Sequence, residues 1–326
     1  MLCKSPGMRN GKIHPCGQCM PCRIKDARVW AHRLMLEGDC FEDKSFLTLT
    51  IDSEHILPDG SLYDKKWLRK WFRKFRDAYR YKTGRELRYY FVAEYGDKSF
   101  RPHYHAILFG FPPCQNEYRK KWLRKKKMGC DCDSCAFVQE QWGLGFTDVG
   151  TVTLQSSRYV AGYVTKKMTK VEDERLEGRL PEYRIMSNKP YGIGHSAVKY
   201  IADALVNPVT GEISLDEYGD VPTTLRCDGR EMPLGRYMRQ KLQKELGVSD
   251  EIKQKKLEIY QKELLSMRDA EPKAQAKEFT QEIIKGLTYS WHIPAMPLKE
   301  FLVMKHAPKI AKMERIQKQQ QSRKSI

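Results

Sequence analysis

Four segments of the chain show the residue patterns of β-strands. FLTLTID (46–52) alternates β-branched residues with leucines and predicts the first strand. LRYYFVAEYG (87–96) and RPHYHAILFG (101–110) predict two further strands, and the short turn between them predicts a β-hairpin. FTDVGTVTL (146–154) predicts the fourth strand.

Helical patterns lie before and between these strands. IKDARVWAHRLMLEG (24–38) predicts a helix near the N-terminus, and apolar residues recur at helical spacing over 64–82. Another helix is predicted from Ser156, with Ser156 or Ser157 as its N-cap, to about Met168. The order of strand, helix, hairpin, strand and helix favours an α+β fold, in which helices cover one face of a central antiparallel sheet.

Composition divides the chain into four predicted regions. Residues 1–44 form a cysteine-rich N-terminal segment with a helix, and residues 45–205 form the domain of the predicted sheet. Residues 206–240 are a mixed connecting region. Residues 241–326 are helical and basic, and their last residues are expected to fray.

The charge balance points to nucleic acid. The 326 residues include 59 Lys and Arg against 41 Asp and Glu, a net charge of +18, which predicts an anionic partner. We find no run of 18 apolar residues and no signal-peptide core, so we expect neither a membrane nor a secreted protein. No GxxxxGK[ST] motif occurs, so a P-loop helicase or ATPase is not indicated.

Ten cysteines are concentrated in two clusters, a distribution that favours metal ligation or free thiols in a reducing compartment. Each cluster has enough thiols for one structural zinc site, although neither shows the clean spacing of paired CxxC motifs. An iron–sulfur cluster or free thiols are the alternatives. The candidate zinc ligands are Cys3, Cys16, Cys19 and Cys22 in the first cluster, and Cys114, Cys130, Cys132 and Cys135 in the second.

Basic residues on the helix over 64–82 and in the insertion 119–135 are expected to contact the DNA backbone. A solvated helix face is the alternative for the helix. Neighbouring aromatic rings are candidates for stacking on unpaired bases. The candidate DNA-binding residues are Lys65, Lys66, Arg69, Arg73, Lys120 and Lys121, and the aromatic residues are Trp67, Trp71, Tyr79 and Trp122. For Trp67 and Trp71 a place in the core is favoured, because they fall on the apolar stripe.

Two histidines on one predicted strand form a candidate metal site. His103 and His105 are two residues apart, so both imidazoles project from the same face of the sheet. Glu94, on the partner strand of the hairpin, can supply a carboxylate ligand. Such a set leaves coordination positions open for a phosphate oxygen. The alternative is a pair of structural histidines.

The last predicted helix presents two tyrosines and two lysines on one stripe. Tyr159 and Tyr163 are four residues apart, and Lys166 and Lys167 follow close to the same stripe. A phenol is a poor nucleophile at neutral pH, but it becomes a plausible one beside a metal-bound phosphate and a lysine. An aromatic stripe packed on the sheet is the alternative.

These three segments in this order, FLTLTID, RPHYHAIL and YVAGYVTKK, resemble the motifs of HUH-type rolling-circle replication initiators. The paired tyrosines resemble the two-tyrosine subgroup of small single-stranded DNA phages. HPCGQCMPCR and MSNKPYGIG resemble segments of the initiators of gokushovirus-like Microviridae. The resemblance covers roughly residues 1–200.

The resemblance implies a metal-dependent nickase and ligase. His103 and His105 would bind Mg²⁺ or Mn²⁺, with Glu94 as third ligand, and the FLTLTID strand would carry no catalysis. Tyr159 and Tyr163 would form 5′-phosphotyrosine links to origin DNA and rejoin the strand after rolling-circle synthesis, assisted by Lys166 and Lys167. The implied setting is the host bacterial cytoplasm, where a host helicase and DNA polymerase would be partners.

Two alternative functions remain. One is a non-catalytic protein with structural zinc that binds or packages nucleic acid, which would need neither the histidine strand nor the tyrosine helix. The other is a relaxase or transposase of the same superfamily. Relaxases generally place the tyrosine before the histidine strand, and the short HUH transposases usually carry one tyrosine, so motif order and tyrosine number favour the initiator.

Overall fold

The computed structural model describes residues 2–9, 12–96, 99–116, 130–162, 172–227, 229–271, 282–284, 287–289 and 296–322. Within them the chain forms two compact units. One unit comprises Met1–Asp26, Leu215–Asp220 and Gly247–Ile326, and the other comprises Ala27–Ser214 and Val221–Leu246. None of the described helices is both long enough and apolar enough to cross a membrane.

The second unit is built on a five-stranded antiparallel sheet with the strand order β6-β3-β5-β4-β7. Its strands are β3 (Lys44–Thr50), β4 (Arg88–Tyr95), β5 (Pro102–Phe109), β6 (Thr147–Thr151) and β7 (Tyr183–Met186). The remaining strands form three two-stranded ribbons: β1 (Gly7–Arg9) with β2 (Lys12–His14), β8 (Thr224–Cys227) with β9 (Arg230–Pro233), and β10 (Glu282–Ile284) with β11 (Leu287–Tyr289).

The helices of the described residues are α1 (Met20–Asp39), α2 (Lys65–Thr83), α3 (Asp133–Trp142), α4 (Leu154–Gly162), α5 (Val198–Leu205), α6 (Gly235–Glu245), α7 (Asp250–Asp269) and α8 (Leu298–Ser322). Helix α2 shows how the sequence sets helix bounds. The Asp64 side chain accepts a hydrogen bond from the Trp67 N–H at 2.6 Å, and Gly84 ends the helix in the left-handed region at φ 72°.

The predicted α+β class and the central antiparallel sheet are confirmed. The layering differs from the prediction, because helices cover both faces of the sheet. On one face, α2 and α3 pack against Leu47, Leu49, Phe91 and Tyr104; we call this the α2 face. On the other, α1 and α4 pack against Phe46, Tyr90, Ile107 and Phe109; we call this the α4 face.

Alternation along the strands explains the two-sided packing. In β5, Tyr104, Ala106 and Leu108 lie on the α2 face, whereas Ile107 and Phe109 lie on the α4 face. Both sets are fully buried, so each face needs its own cover of helices. A single layer of helices would leave one of these apolar faces in water.

Candidate active site

Strand register brings the predicted metal ligands onto the α4 face. In the pairing of β4 with β5, Glu94 stands opposite His103 and Val92 stands opposite His105. Since positions two apart share a face, both histidines project from the side that carries Ile107. Glu94 is on the same side, because directly opposite residues of an antiparallel pair share a face.

Glu94 and His105 are in direct contact. The Oε1 atom of Glu94 lies 3.1 Å from Nε2 of His105, and both residues are buried. Two adjacent ligands at about 2.1 Å from an octahedral ion would lie about 3.0 Å apart, so this spacing suits a shared divalent cation. The pair therefore offers one carboxylate oxygen and one imidazole nitrogen to a hard metal.

His103 does not converge on this pair. Its Nδ1 atom donates to the carbonyl oxygen of Arg101 at 2.7 Å, and its ring lies over Gly96. Among the described residues, the groups of three or more ligands whose atoms lie within 4.8 Å of one another are the two cysteine clusters. His103 would join Glu94 and His105 only after turning away from Arg101.

Helix α4 places Tyr159 over the histidine pair. Val160 and Ala161 are buried against the sheet, whereas Tyr159 remains 48% exposed. The ring of Tyr159 stands edge-on to His105, with centroids 5.2 Å apart, and His105 stacks on Phe46 at 5.6 Å. The histidine strand and the first tyrosine therefore meet at one site.

The predicted second tyrosine, Tyr163, and the lysines Lys166 and Lys167 lie outside the described residues. Tyr159 is thus the part of the predicted catalytic stripe whose place in the structure is described. The observed start of α4 at Leu154 is two residues before the predicted Ser156.

Thr48 is a site residue that the sequence analysis missed. It lies on β3, the strand that was expected to carry no catalysis, and stands opposite His105. Its Oγ1 lies 3.2 Å from Nδ1 of His105, the ring nitrogen that faces away from Glu94. Asp148 on β6 stands opposite Thr48 and shares the α4 face. The alternation of FLTLTID was the available signal, because it separates the threonines from the buried leucines.

The predicted DNA-binding residues of α2 are exposed, but they lie on the other side of the sheet from Tyr159. Helix α2 packs on the α2 face and turns its basic residues to solvent; these include Lys65, Lys66, Arg69 and Arg73. The predicted base-stacking role of Tyr79 is wrong, because the ring is buried and its hydroxyl donates to the Gly110 carbonyl oxygen at 3.1 Å.

The favoured core placement of Trp67 and Trp71 is confirmed, since both are partly buried against the cluster on the α2 face. Lys120, Lys121 and Trp122 lie outside the described residues. The structure therefore separates the exposed basic face of α2 from the histidine site.

The first cysteine cluster has the geometry of a mononuclear metal site. The sulfur atoms of Cys3, Cys16, Cys19 and Cys22 all lie within 4.8 Å of one another, and three of the separations are 3.4, 3.8 and 4.0 Å. A tetrahedron with zinc–sulfur bonds of about 2.3 Å has edges of about 3.8 Å. A multinuclear iron–sulfur cluster would spread the thiolates over several metal ions. The compact arrangement therefore favours a single ion.

The second cluster, on the α2 face, has similar spacing. Cys114 lies 3.7 Å from Cys130 and 3.8 Å from Cys132, and Cys135 completes the group. Three of its members belong to the buried core beside α2.

Backbone donors lower the pKa of one thiol in each cluster. Burial opposes ionisation of Cys16, but N–H groups of Cys19 and Gln18 donate to its sulfur and lower its pKa to about 6. Burial likewise opposes ionisation of Cys132, whose pKa backbone donors from Cys135 and Gln115 lower to about 7. Thiolates are the form that binds zinc.

The fold and site define a class that comparison with known proteins identifies. Residues 44–170 match the family of replication-associated proteins typified by ORF2 and the phage gene II protein. This segment spans β3 to α4 and contains all three motifs. The resemblance to phage replication-associated proteins is therefore confirmed over this segment.

Individual phage proteins show the same similarity. The chain is 33% identical to replication-associated protein VP4 of Bdellovibrio phage phiMH2K over 162 residues, which cover 49% of this chain and 50% of the relative. It is 31% identical to ORF4 of Chlamydia phage 1 over 47% of this chain and 38% of the relative. For ORF2 of Spiroplasma virus 4 the identity is 31%, over 55% of each chain. The matches thus span about half the length of these relatives or less, and they support a role in phage DNA replication. No solved structure matches the chain.

Proposed function

We propose that the chain initiates phage DNA replication by cutting single-stranded origin DNA with a tyrosine nucleophile. The observation that carries this proposal is the position of the Tyr159 ring, 5.2 Å from that of His105, which in turn contacts Glu94. A half-exposed phenol beside a buried acid–imidazole pair is an arrangement suited to phosphoryl transfer.

The proposed step is a transesterification. The hydroxyl oxygen of Tyr159 attacks the phosphorus, forming a tyrosine–phosphate bond while the bond from phosphorus to the 3′ oxygen breaks. The phenolic proton is released, and the departing 3′ oxygen takes up a proton. The products are a 5′-phosphotyrosine and a free 3′-OH, so the phosphodiester energy is retained and no ATP is consumed.

Glu94 and His105 would hold the divalent cation, Mg²⁺ or Mn²⁺, which when bound stabilises charge on the non-bridging phosphate oxygens. His103 would contribute after giving up its bond to the Arg101 carbonyl oxygen. Thr48 keeps the imidazole of His105 oriented through its ring Nδ1.

The second round uses the remaining predicted nucleophile. Tyr163 attacks the regenerated junction after one round of synthesis, and the free 3′-OH then closes the released strand. Lys166 and Lys167 assist beside the scissile phosphate. The two cysteine clusters each bind one structural zinc ion. A host polymerase extends the 3′-OH and a host helicase unwinds the duplex, in the cytoplasm of the bacterial host.

Covalent capture of DNA tests the nicking reaction. The full chain is incubated with a randomised single-stranded DNA pool in Mn²⁺ or in EDTA, and adducts are resolved on a denaturing gel. We expect a metal-dependent adduct, which is absent when Tyr159→Phe and Tyr163→Phe are combined. Glu94→Gln and His105→Ala should each reduce it strongly.

Tyr81→Phe is the matched control, since it removes a phenol from a 95% exposed tyrosine of α2 and should leave the adduct unchanged. If the wild-type chain binds the pool but forms no adduct with any divalent metal, the nickase proposal is overturned. The chain would then be a non-catalytic nucleic-acid-binding protein.

A further inference from the structure

Phe146 is a large apolar residue at the edge of the candidate active site, and it is 56% exposed. It directly precedes β6, and extending the register of β6 with β3 by one residue places it opposite Thr50. Thr50 itself stands opposite His103, which stands opposite Glu94. Phe146 therefore extends a row of residues that crosses the α4 face to the proposed metal ligands.

The backbone that carries Phe146 is fixed against β3. The Thr50 N–H donates to the Phe146 carbonyl oxygen at 2.9 Å, and the Phe146 N–H donates to Thr50 Oγ1 at 3.1 Å. One turn earlier, the indole N–H of Trp142 donates to the Thr50 carbonyl oxygen at 2.7 Å, and the Asp52 N–H donates to the Leu144 carbonyl oxygen at 2.9 Å. The ring is thus held out to solvent by an anchored turn.

Gly145 makes this close approach possible. Its φ is 155°, and a Cβ atom there would lie 2.7 Å from the Thr50 carbonyl oxygen. The turn therefore cannot accept a side chain at this position without moving away from β3. A backbone shaped so closely to the end of β3 keeps the next residue, Phe146, in a fixed place beside the site.

We propose that Phe146 is a stacking platform for an unpaired base of the DNA strand, next to the phosphate held at Glu94 and His105. The inference rests on the proposed function and names a contact for its substrate. Two strand spacings, about 10 Å, separate β6 from β5, a distance that one or two nucleotides span. A phenyl face stacks on any base, so the contact is tolerant of sequence.

Binding measured without metal tests the stacking role independently of catalysis. The full chain is titrated in EDTA with a fluorescein-labelled 20-mer of thymidine, and with a 20-mer of the same backbone that lacks bases. We expect Phe146→Ala to weaken binding of the thymidine 20-mer by about 5- to 150-fold. Binding of the base-free 20-mer should not change, because its phosphates are still contacted.

Matched variants separate stacking from other effects. Phe146→Trp should retain the affinity for thymidine, whereas Phe146→Leu should lose it despite being apolar. Tyr81→Ala removes a 95% exposed ring from α2 and should leave both affinities unchanged. Thermal melting of each variant establishes that it is folded.

Two outcomes would overturn the proposal: equal weakening of both probes by Phe146→Ala, or no weakening of either. The adduct assay on the same variants keeps this result distinct from the nickase proposal. If wild-type chain forms the metal-dependent adduct while Phe146→Ala binds thymidine normally, stacking fails and nicking stands. If wild-type chain forms no adduct but the thymidine preference depends on Phe146, nicking fails and the base contact stands.

Discussion

Replacing Glu37 with leucine should destabilise the sheet unit by several kcal/mol. Glu37 is fully buried on α1, and its carboxylate pairs with Arg88 of β4, whose side chain is 12% exposed. The other carboxylate oxygen accepts the Gly194 N–H at 2.6 Å, and Arg88 also donates to the Tyr191 carbonyl oxygen at 3.0 Å. One buried acid therefore ties α1 and β4 to the glycine-rich segment KPYGIG (189–194).

The magnitude follows from the charge left behind. Removing one partner of a buried ion pair costs about 3–5 kcal/mol, because the other charge stays buried without compensation. For a unit of this size that corresponds to a fall in Tm of roughly 6–20 °C. Adding Arg88→Met to Glu37→Leu removes the uncompensated charge, so the double variant should lose only about 1–3 kcal/mol, mainly from the Gly194 N–H that has lost its acceptor.

Urea unfolding followed by tryptophan fluorescence measures these free energies, and the two single variants with the double variant complete a thermodynamic cycle. The reasoning predicts that the double variant is more stable than Glu37→Leu alone. A double variant that is less stable than this single variant would refute the account based on an uncompensated buried charge.

Three further predictions address the metal sites and the dependence on pH. Thr48→Val should weaken Mn²⁺ binding by about 10- to 100-fold in a calorimetric titration, with Thr48→Ser restoring it, because the hydroxyl orients His105; equal loss in both variants would contradict this. Elemental analysis should find two zinc ions per chain and one in Cys132→Ser, and a chain purified without metal would contradict the zinc assignment. Burial lowers the pKa of His32, so the folded state disfavours its protonation. Stability should be complete above the unfolded pKa of about 6.5 and fall as pH drops through it. Urea midpoints at pH 7.5 and 5.5 should therefore differ less in His32→Asn than in wild type, and an unchanged difference would exclude His32 as a source.

Local patterns predicted the strands that carry the site, because alternation and turn residues act over a few positions. The pairing of Glu94 with His103 could be anticipated from the short hairpin, whose turn fixes the register. The layering could not. Helix α1 contributes Trp30 and Leu34 to the α4 face, and nothing in a periodic pattern states which face of a sheet a helix will cover.

The state of each side chain depended on tertiary contacts that sequence spacing does not encode. His103 and His105 share a face as predicted, but a carbonyl oxygen two residues away turns the His103 ring aside. Tyr79 lies beside arginine and lysine in the sequence, yet its position on the apolar stripe buries it. Thr48 was missed because a threonine on a strand is ordinarily explained by β-propensity alone.

Strand β3 carries two interleaved instructions in seven residues. Leu47 and Leu49 are fully buried on the α2 face, while Thr48 and Thr50 face the histidines. Because the side-chain period of a strand is two, inserting or deleting one residue within β3 would exchange these sets. The leucines would enter the polar site and the threonines the core, so such a change would remove the fold and the chemistry together. Point substitutions can separate the two roles of this strand, but changes in its length cannot.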